Sequence, residues 1–181
     1  MHRAALGPDE VVVRHGVPCA IPARAAFDEV VWRSDLREGV CVLDMALSAR
    51  LVTRPGMTAE VQRRAGQRGA AVVRAALELA EDRVLSPQET VPRLIWMLDA
   101  GLPRPRCNWP VGDGRGRRIG KPDLLCEEVD VAGEYDGADH RAAERQADDV
   151  SKEDRYRNAG LEAFRLVGRD LASVDRVVSR P

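Results

Sequence analysis

Residues Gly133–His140 read GEYDGADH and follow directly on the apolar run Val129–Ala132, VDVA. Three carboxylates and a histidine therefore crowd the end of what reads as a buried β-strand. Charged groups there are costly unless something uses or neutralises them. Glu134 and Asp136 are two positions apart, so on a strand they share one face.

The pattern N-terminal to this strand is a succession of short apolar segments separated by turn residues. RCNWPV (Arg106–Val111), RRIGKPDLLC (Arg117–Cys126) and VDVAGEYDG (Val129–Gly137) predict a three-stranded antiparallel meander, with the turn GDGRG (Gly112–Gly116) between the first two. Pro110 cannot donate to a ladder, which places the first segment at an edge. C-terminal to the acidic stretch, a polar helix is expected from about Arg141 to Asn158, stopped by Gly160. LEAFRLV (Leu161–Val167) follows as a last strand with Phe164 and Leu166 on one face, and then a short helix from about Asp170. Two strands joined through a helix should run parallel. The fold class is therefore α/β, a mixed four-stranded sheet flanked by helices.

Upstream, LSPQET (Leu85–Thr90) opens a helix: Ser86, Pro87 and Glu89 fit N-cap, N1 and N3 of a capping box, although Pro92 should disturb it and favours a start at Thr90. Residues 1–84 form a different region. VVVRHGVPCAIP (Val11–Pro22) is a short strand closed by prolines, and helical apolar spacing continues to about Ala80, with Thr58 as a candidate N-cap after TRPGM. The expected boundary separates an N-terminal strand-plus-helix segment, 1–84, from an α/β domain, 85–181.

Composition narrows the setting. The formal charge of the 181-residue chain is −1, which does not by itself announce a nucleic-acid binder. Of 28 basic residues only Lys121 and Lys152 are lysines. Arginine is the better bidentate phosphate ligand, but a GC-rich coding sequence gives the same excess. Cys19, Cys41, Cys107 and Cys126 form no C-x-x-C pair, which argues against a zinc site or disulfide framework and fits a reducing cytoplasm. No run has the length of a transmembrane helix, and MHRAALGPDE lacks the apolar core of a signal peptide.

Asp123 lies on the strand preceding Glu134. If the turn between them holds an even number of residues, Asp123 falls on the same face, opposite Glu134 or one diagonal step away. Carboxylates so close repel one another, and a divalent cation removes the conflict; hard oxygen ligands suit Mg²⁺, with Mn²⁺ as substitute. His140, just past the Gly137 turn, is placed to carry a proton. Together these are the parts for metal-assisted hydrolysis of a phosphodiester.

These residues also carry a resemblance. SPQE, GKPDLL, VAGEYDGADH and RQADDVSKEDRYRNAGLEAFRL resemble the very-short-patch-repair-like endonuclease domain of the PD-(D/E)-x-K nuclease superfamily, over about Leu85 to Val178. The upstream VVVRHGVP and IPARAAFDEVV are similar to the middle helical region of longer actinobacterial AbiEi-like antitoxin or regulator proteins, which usually carry a winged helix before it. The resemblance implies a restriction-endonuclease-like fold, DNA as partner, and Asp123 and Glu134 as metal ligands. It further implies that Glu89 completes the pocket, that His140 is a general acid or base, and that Gln146 is a polar helix position facing DNA. Asp136 stands where the superfamily has its lysine, so the activation of water is the point of departure.

Each residue also has a structural reading. Glu89 is explained as a capping-box residue, Asp136–Gly137 as a turn pair, and Asp139 as an N-cap. Arg115, Arg117 and Arg118 surround a glycine-rich turn that would grip phosphates or simply be solvated. Arg63, Arg64, Arg68 and Arg74 form a second basic group. The expectation is a metal-dependent endodeoxyribonuclease, for which a homodimer would suit double-strand cleavage. The alternative is a non-catalytic DNA-binding or regulatory protein of a toxin–antitoxin or defence system on the same fold.

Overall fold

The computed structural model describes residues 5–136 and 152–167. The chain divides into two compact units, Met1–Asp82 and Arg83–Pro181.

In the first unit a 3-10 turn, Pro8–Glu10, leads into an antiparallel hairpin of β1 (Val11–Arg14) and β2 (Val17–Ala20). His15 and Gly16 connect the strands with φ of 51° and 78°, so both central residues take the left-handed conformation that suits a two-residue hairpin. The single N-terminal strand read from the sequence is thus two. Four helices follow: α1 (Pro22–Arg33), α2 (Leu36–Ser48), α3 (Arg54–Arg63) and α4 (Ala70–Leu79). Their apolar stripes meet around Phe27, Val30, Leu43, Met57 and Val73, all buried. Thr53, not Thr58, caps α3: its side chain accepts from the Gly56 N–H at 3.1 Å, while the Thr58 hydroxyl donates inside the helix to the Arg54 carbonyl. Pro55 suits this start, because proline in the first turn lacks an N–H that would be unpaired there in any case.

Arg64 does not belong to an open basic face. It is buried, donates to Glu10 and Glu60, and lies 5.5 Å from the Phe27 ring centroid. Glu10 also takes Arg24 at 2.7 Å, and Glu60 takes Arg63 at 2.9 Å. These guanidiniums neutralise buried carboxylates, which the helical spacing of the arginines alone could not reveal.

In the second unit α5 (Pro87–Leu94) continues into a π-helical turn, Ile95–Asp99. The helix starts at Pro87 and not at Thr90, and it accommodates Pro92. The four-stranded sheet has the order β3 (Arg106–Cys107), β6 (Leu124–Cys126), β7 (Val131–Asp136), β8 (Glu162–Val167). β3/β6 and β6/β7 are antiparallel and β7/β8 parallel, making the sheet mixed. The helix at 152–158, here α6, precedes β8 and ends before Gly160, whose φ of 85° suits a C-terminal glycine.

The meander differs from expectation in one respect. Each of its first two segments is broken, and the pieces β4 (Val111–Gly112) and β5 (Arg118–Gly120) pair as a separate two-stranded ribbon. Asn108 turns the chain out of the sheet with φ of 49°, and Pro110 stands just before β4. β3 is left as the sheet edge.

Phe164 stacks on Trp96 with centroids 6.1 Å apart and planes 5° from parallel, and it lies directly over Gly133 of β7. A Cβ at Gly133 would fall 2.4 Å from Phe164 Cζ. Gly133→Ala is therefore expected to lower stability by about 2 kcal/mol through overpacking. Urea unfolding followed by tryptophan fluorescence measures this, and an unchanged midpoint would contradict the packing described. Among the described residues no helix is long and apolar enough to cross a membrane.

Candidate functional site

The register of β6 and β7 pairs Leu124 with Gly133, and one step further sets Asp123 opposite Glu134. The even four-residue turn between Cys126 and Val131 produces this parity. On the far side, Asn108 N–H donates to the Asp123 carbonyl at 3.2 Å, and Glu134 is paired with Arg165 of β8. Asn108, Asp123, Glu134 and Arg165 thus form a polar row across one face of the sheet, opposite the face where Phe164 packs on Trp96.

Glu134 is gripped from α6. Lys152 Nζ lies 2.6 Å from one carboxylate oxygen, and the Tyr156 hydroxyl donates to the other at 3.0 Å. Lys152 and Tyr156 are four residues apart, so both project from one helix face. Burial first, then the negative charge of Glu134, pushes the Tyr156 hydroxyl above its ordinary value, so it remains a donor at any physiological pH.

Asp123 is the electrostatic centre. Burial pushes its carboxyl up from 3.8 to about 6, and the charges of Glu89 and Glu134 add to the shift. The Tyr135 N–H, which donates to Asp123 Oδ2 at 2.8 Å, and the Lys152 ammonium oppose it.

Glu89 serves two purposes. It accepts from Leu85 N–H at 3.0 Å and from the Ser86 hydroxyl at 3.2 Å, closing the start of α5. The same carboxylate takes Asn108 Nδ2 at 2.7 Å, tying the helix to the sheet edge beside Asp123. Ser86 itself makes no side-chain cap bond to the backbone, so the capping box is incomplete and Glu89 does most of its work.

Asp136, on the Glu134 face, lies 3.6 Å from Arg165 Nη1 and is half exposed. It pairs with Arg165, which also reaches Glu153 of α6 at 3.3 Å. His140, Gln146 and Asp139 lie outside the described residues. Arg115, Arg117 and Arg118 sit on the β4–β5 ribbon, apart from the carboxylate row.

Sequence reading missed Lys152, Tyr156 and Asn108. Lys152 is one of two lysines in an arginine-rich chain, and its spacing to Tyr156 was the available signal.

The second unit is thus a mixed α/β domain with the part-buried carboxylates Asp123 and Glu134 opposite each other on adjacent strands. No protein-family model, curated protein or solved structure matches the chain.

The residues fit a divalent cation of the Mg²⁺ type in one particular way. Among the described residues no group of three or more His, Cys, Asp and Glu forms a closed metal cage. Two carboxylates, Asp123 and Glu134, are nevertheless sufficient for Mg²⁺, which retains waters and completes its shell with substrate phosphate. Burial is the main cause of the raised Asp123 carboxyl, and a cation would offset both that cost and the added repulsion from Glu89 and Glu134.

Proposed function

We propose that the chain is a divalent-metal-dependent endodeoxyribonuclease of restriction-endonuclease-like fold, with Mg²⁺ or Mn²⁺ held by Asp123 and Glu134. The observation that carries this reading is the cross-strand placement of those two carboxylates, with Asp123 pushed to about 6 by burial and by its acidic neighbours. A part-buried carboxyl raised in this way beside further acids is costly, and such groups concentrate where chemistry uses them.

A bound cation would supply Lewis-acid stabilisation of the charge developing on the phosphate and a more acidic water. The chain's own residues do the rest. Tyr156 fixes the orientation of Glu134, and Tyr135 N–H fixes that of Asp123. Glu89, anchored by Asn108, adds negative charge on the far side of Asp123. The Lys152 ammonium brings a permanent positive charge to the place where the scissile phosphate approaches, taking over the electrostatic part of the lysine that Asp136 replaces. His140 is the candidate proton carrier for the leaving oxygen.

Supercoiled plasmid incubated with the purified protein should be nicked in Mg²⁺ or Mn²⁺ and left intact in EDTA. Equal nicking in both conditions would remove the metal from the proposal.

One observation favours a second reading. Both oxygens of Glu134 already have partners within the chain, an ammonium and a phenol. A carboxylate satisfied in this way is also what a non-catalytic DNA-binding or regulatory protein on this fold would show. That reading predicts DNA binding without cleavage, unaffected by metal and weakened by salt.

A further inference from the structure

The unit Arg83–Pro181 carries a second chemical feature. The β4–β5 ribbon and the C-terminal half of α6 enclose a cleft of about 500 Å³, whose lining includes Asp113, Arg117, Arg118, Arg155 and Asn158. Its ribbon side is preorganised by Asp113. That carboxylate accepts from the Arg115 N–H and the Arg117 N–H, both at 2.9 Å, and from Arg117 Nε at 2.8 Å. The Asp113 N–H in turn donates to the Arg117 carbonyl at 2.8 Å. Bonds from Arg117, the backbone N–H first, hold the Asp113 carboxyl below its ordinary value, so it stays ionised and keeps the tip closed.

The remaining charge in the cleft is positive. Arg117 balances Asp113, but among the described residues Arg118 and Arg155 have no carboxylate partner. Other arginines nearby differ: Arg157 is shared between Glu153 and Asp154, and Arg106 reaches Glu127. Among the described residues the cleft has no aromatic lining on which a base could stack, and Asn158 adds a neutral amide donor. Planar guanidiniums without a stacking platform suit phosphate rather than base.

A close contact links the ribbon to the helix that holds Glu134. Gly120, at the end of β5, lies so close to Tyr156 that a Cβ there would be 2.3 Å from the hydroxyl oxygen. That hydroxyl holds Glu134, and Arg155 is the preceding residue of α6. Ribbon, helix and Glu134 therefore meet at a single side chain.

We propose that this cleft binds the sugar–phosphate backbone of duplex DNA, with Arg118 and Arg155 taking phosphates that flank the one presented to Asp123 and Glu134. The proposal rests on the nuclease reading for its substrate. The contact is independent of base sequence and registers the strand on the site.

The test is fluorescence anisotropy with a short labelled duplex in EDTA, titrated with salt, for the wild type, Arg118→Gln, Arg155→Gln and the control Arg157→Gln. Thermal melts are run in parallel; both cleft arginines are exposed, so folding should be unaffected. Each cleft variant is expected to flatten the slope of log K against log salt by about 0.9, the signature of one lost phosphate contact, while the control keeps the wild-type slope. Wild-type slopes in both cleft variants, an equal loss in Arg157→Gln, or no binding by the wild type would overturn the proposal. Metal-dependent nicking, measured separately, decides the nuclease reading. Loss of binding in the cleft variants of a protein that never nicks keeps the cleft and discards the nuclease; nicking with unaltered binding does the reverse.

Discussion

Asp123→Asn should reduce metal-dependent nicking about a thousandfold, equivalent to several kcal/mol of transition-state stabilisation, and at the same time make the metal-free protein more stable at neutral pH. The two effects have one cause. Asp123 ionises near 3.8 when unfolded and near 6 in the folded chain, because burial and the charges of Glu89 and Glu134 oppose its ionised form. Between those values the folded state binds more protons than the unfolded one, so stability falls as pH rises through the window. Above about pH 6 the full cost is present: the shift converts to about 3 kcal/mol as a ceiling, and partial solvent access brings it to about 2 kcal/mol. Asparagine carries no charge and can still accept the Tyr135 N–H through its amide oxygen. The melting temperature of the variant should exceed that of the wild type at pH 7.5, and the gap should close as pH falls towards 4. Nicking by the wild type should rise with pH through the same region, since the carboxyl must be ionised to hold a cation. A variant that melts lower at pH 7.5, or nicks like the wild type, would contradict this account of Asp123.

Lys152→Met should separate metal affinity from cleavage. The Lys152 ammonium lies 2.6 Å from the Glu134 oxygen that a cation needs, so the two positive charges compete for it. Removing the ammonium frees that oxygen, and Mn²⁺ affinity measured by calorimetry should increase several-fold, following the exchange of one partly exposed ion pair. Cleavage should nevertheless fall about a hundredfold, as expected when one positive group aimed at developing phosphate charge is deleted. Tyr156 still holds the second Glu134 oxygen, so the carboxylate keeps its position and the loss is electrostatic. Unchanged cleavage would leave Lys152 as a structural counter-ion, and weaker Mn²⁺ binding would show that it orients Glu134 rather than competes with the metal.

The acid pair was legible in the sequence because strand parity is a local property. A four-residue turn between Cys126 and Val131 brings Asp123 opposite Glu134 whatever surrounds them. The parallel pairing of β7 and β8 was legible for a related reason, since an intervening helix reverses the chain. Lys152 was not, because its arrival at Glu134 depends on how α6 lies across the sheet, and helical periodicity does not encode that. Glu89 was ambiguous in the sequence and is twofold in the structure, as it closes its own helix and also engages Asn108. The division of the meander was hidden at Asn108, where a left-handed φ diverts the chain in a position that reads as ordinary strand. Arg64 was misread for want of its partner Glu10, which enters from 54 positions earlier in the chain.

The β4–β5 ribbon gives this domain a replaceable part. Cys107 of β3 pairs with Leu124 of β6, so the chain leaves the sheet and returns to it at neighbouring points. Everything between Val111 and Gly120 can then change in length or composition while Asp123 keeps its register. Residue Gly120 is the exception, since it must stay small against Tyr156. Variants with grafted tips between Asp113 and Arg117 would therefore change the ribbon's outline while Asp123 stays opposite Glu134.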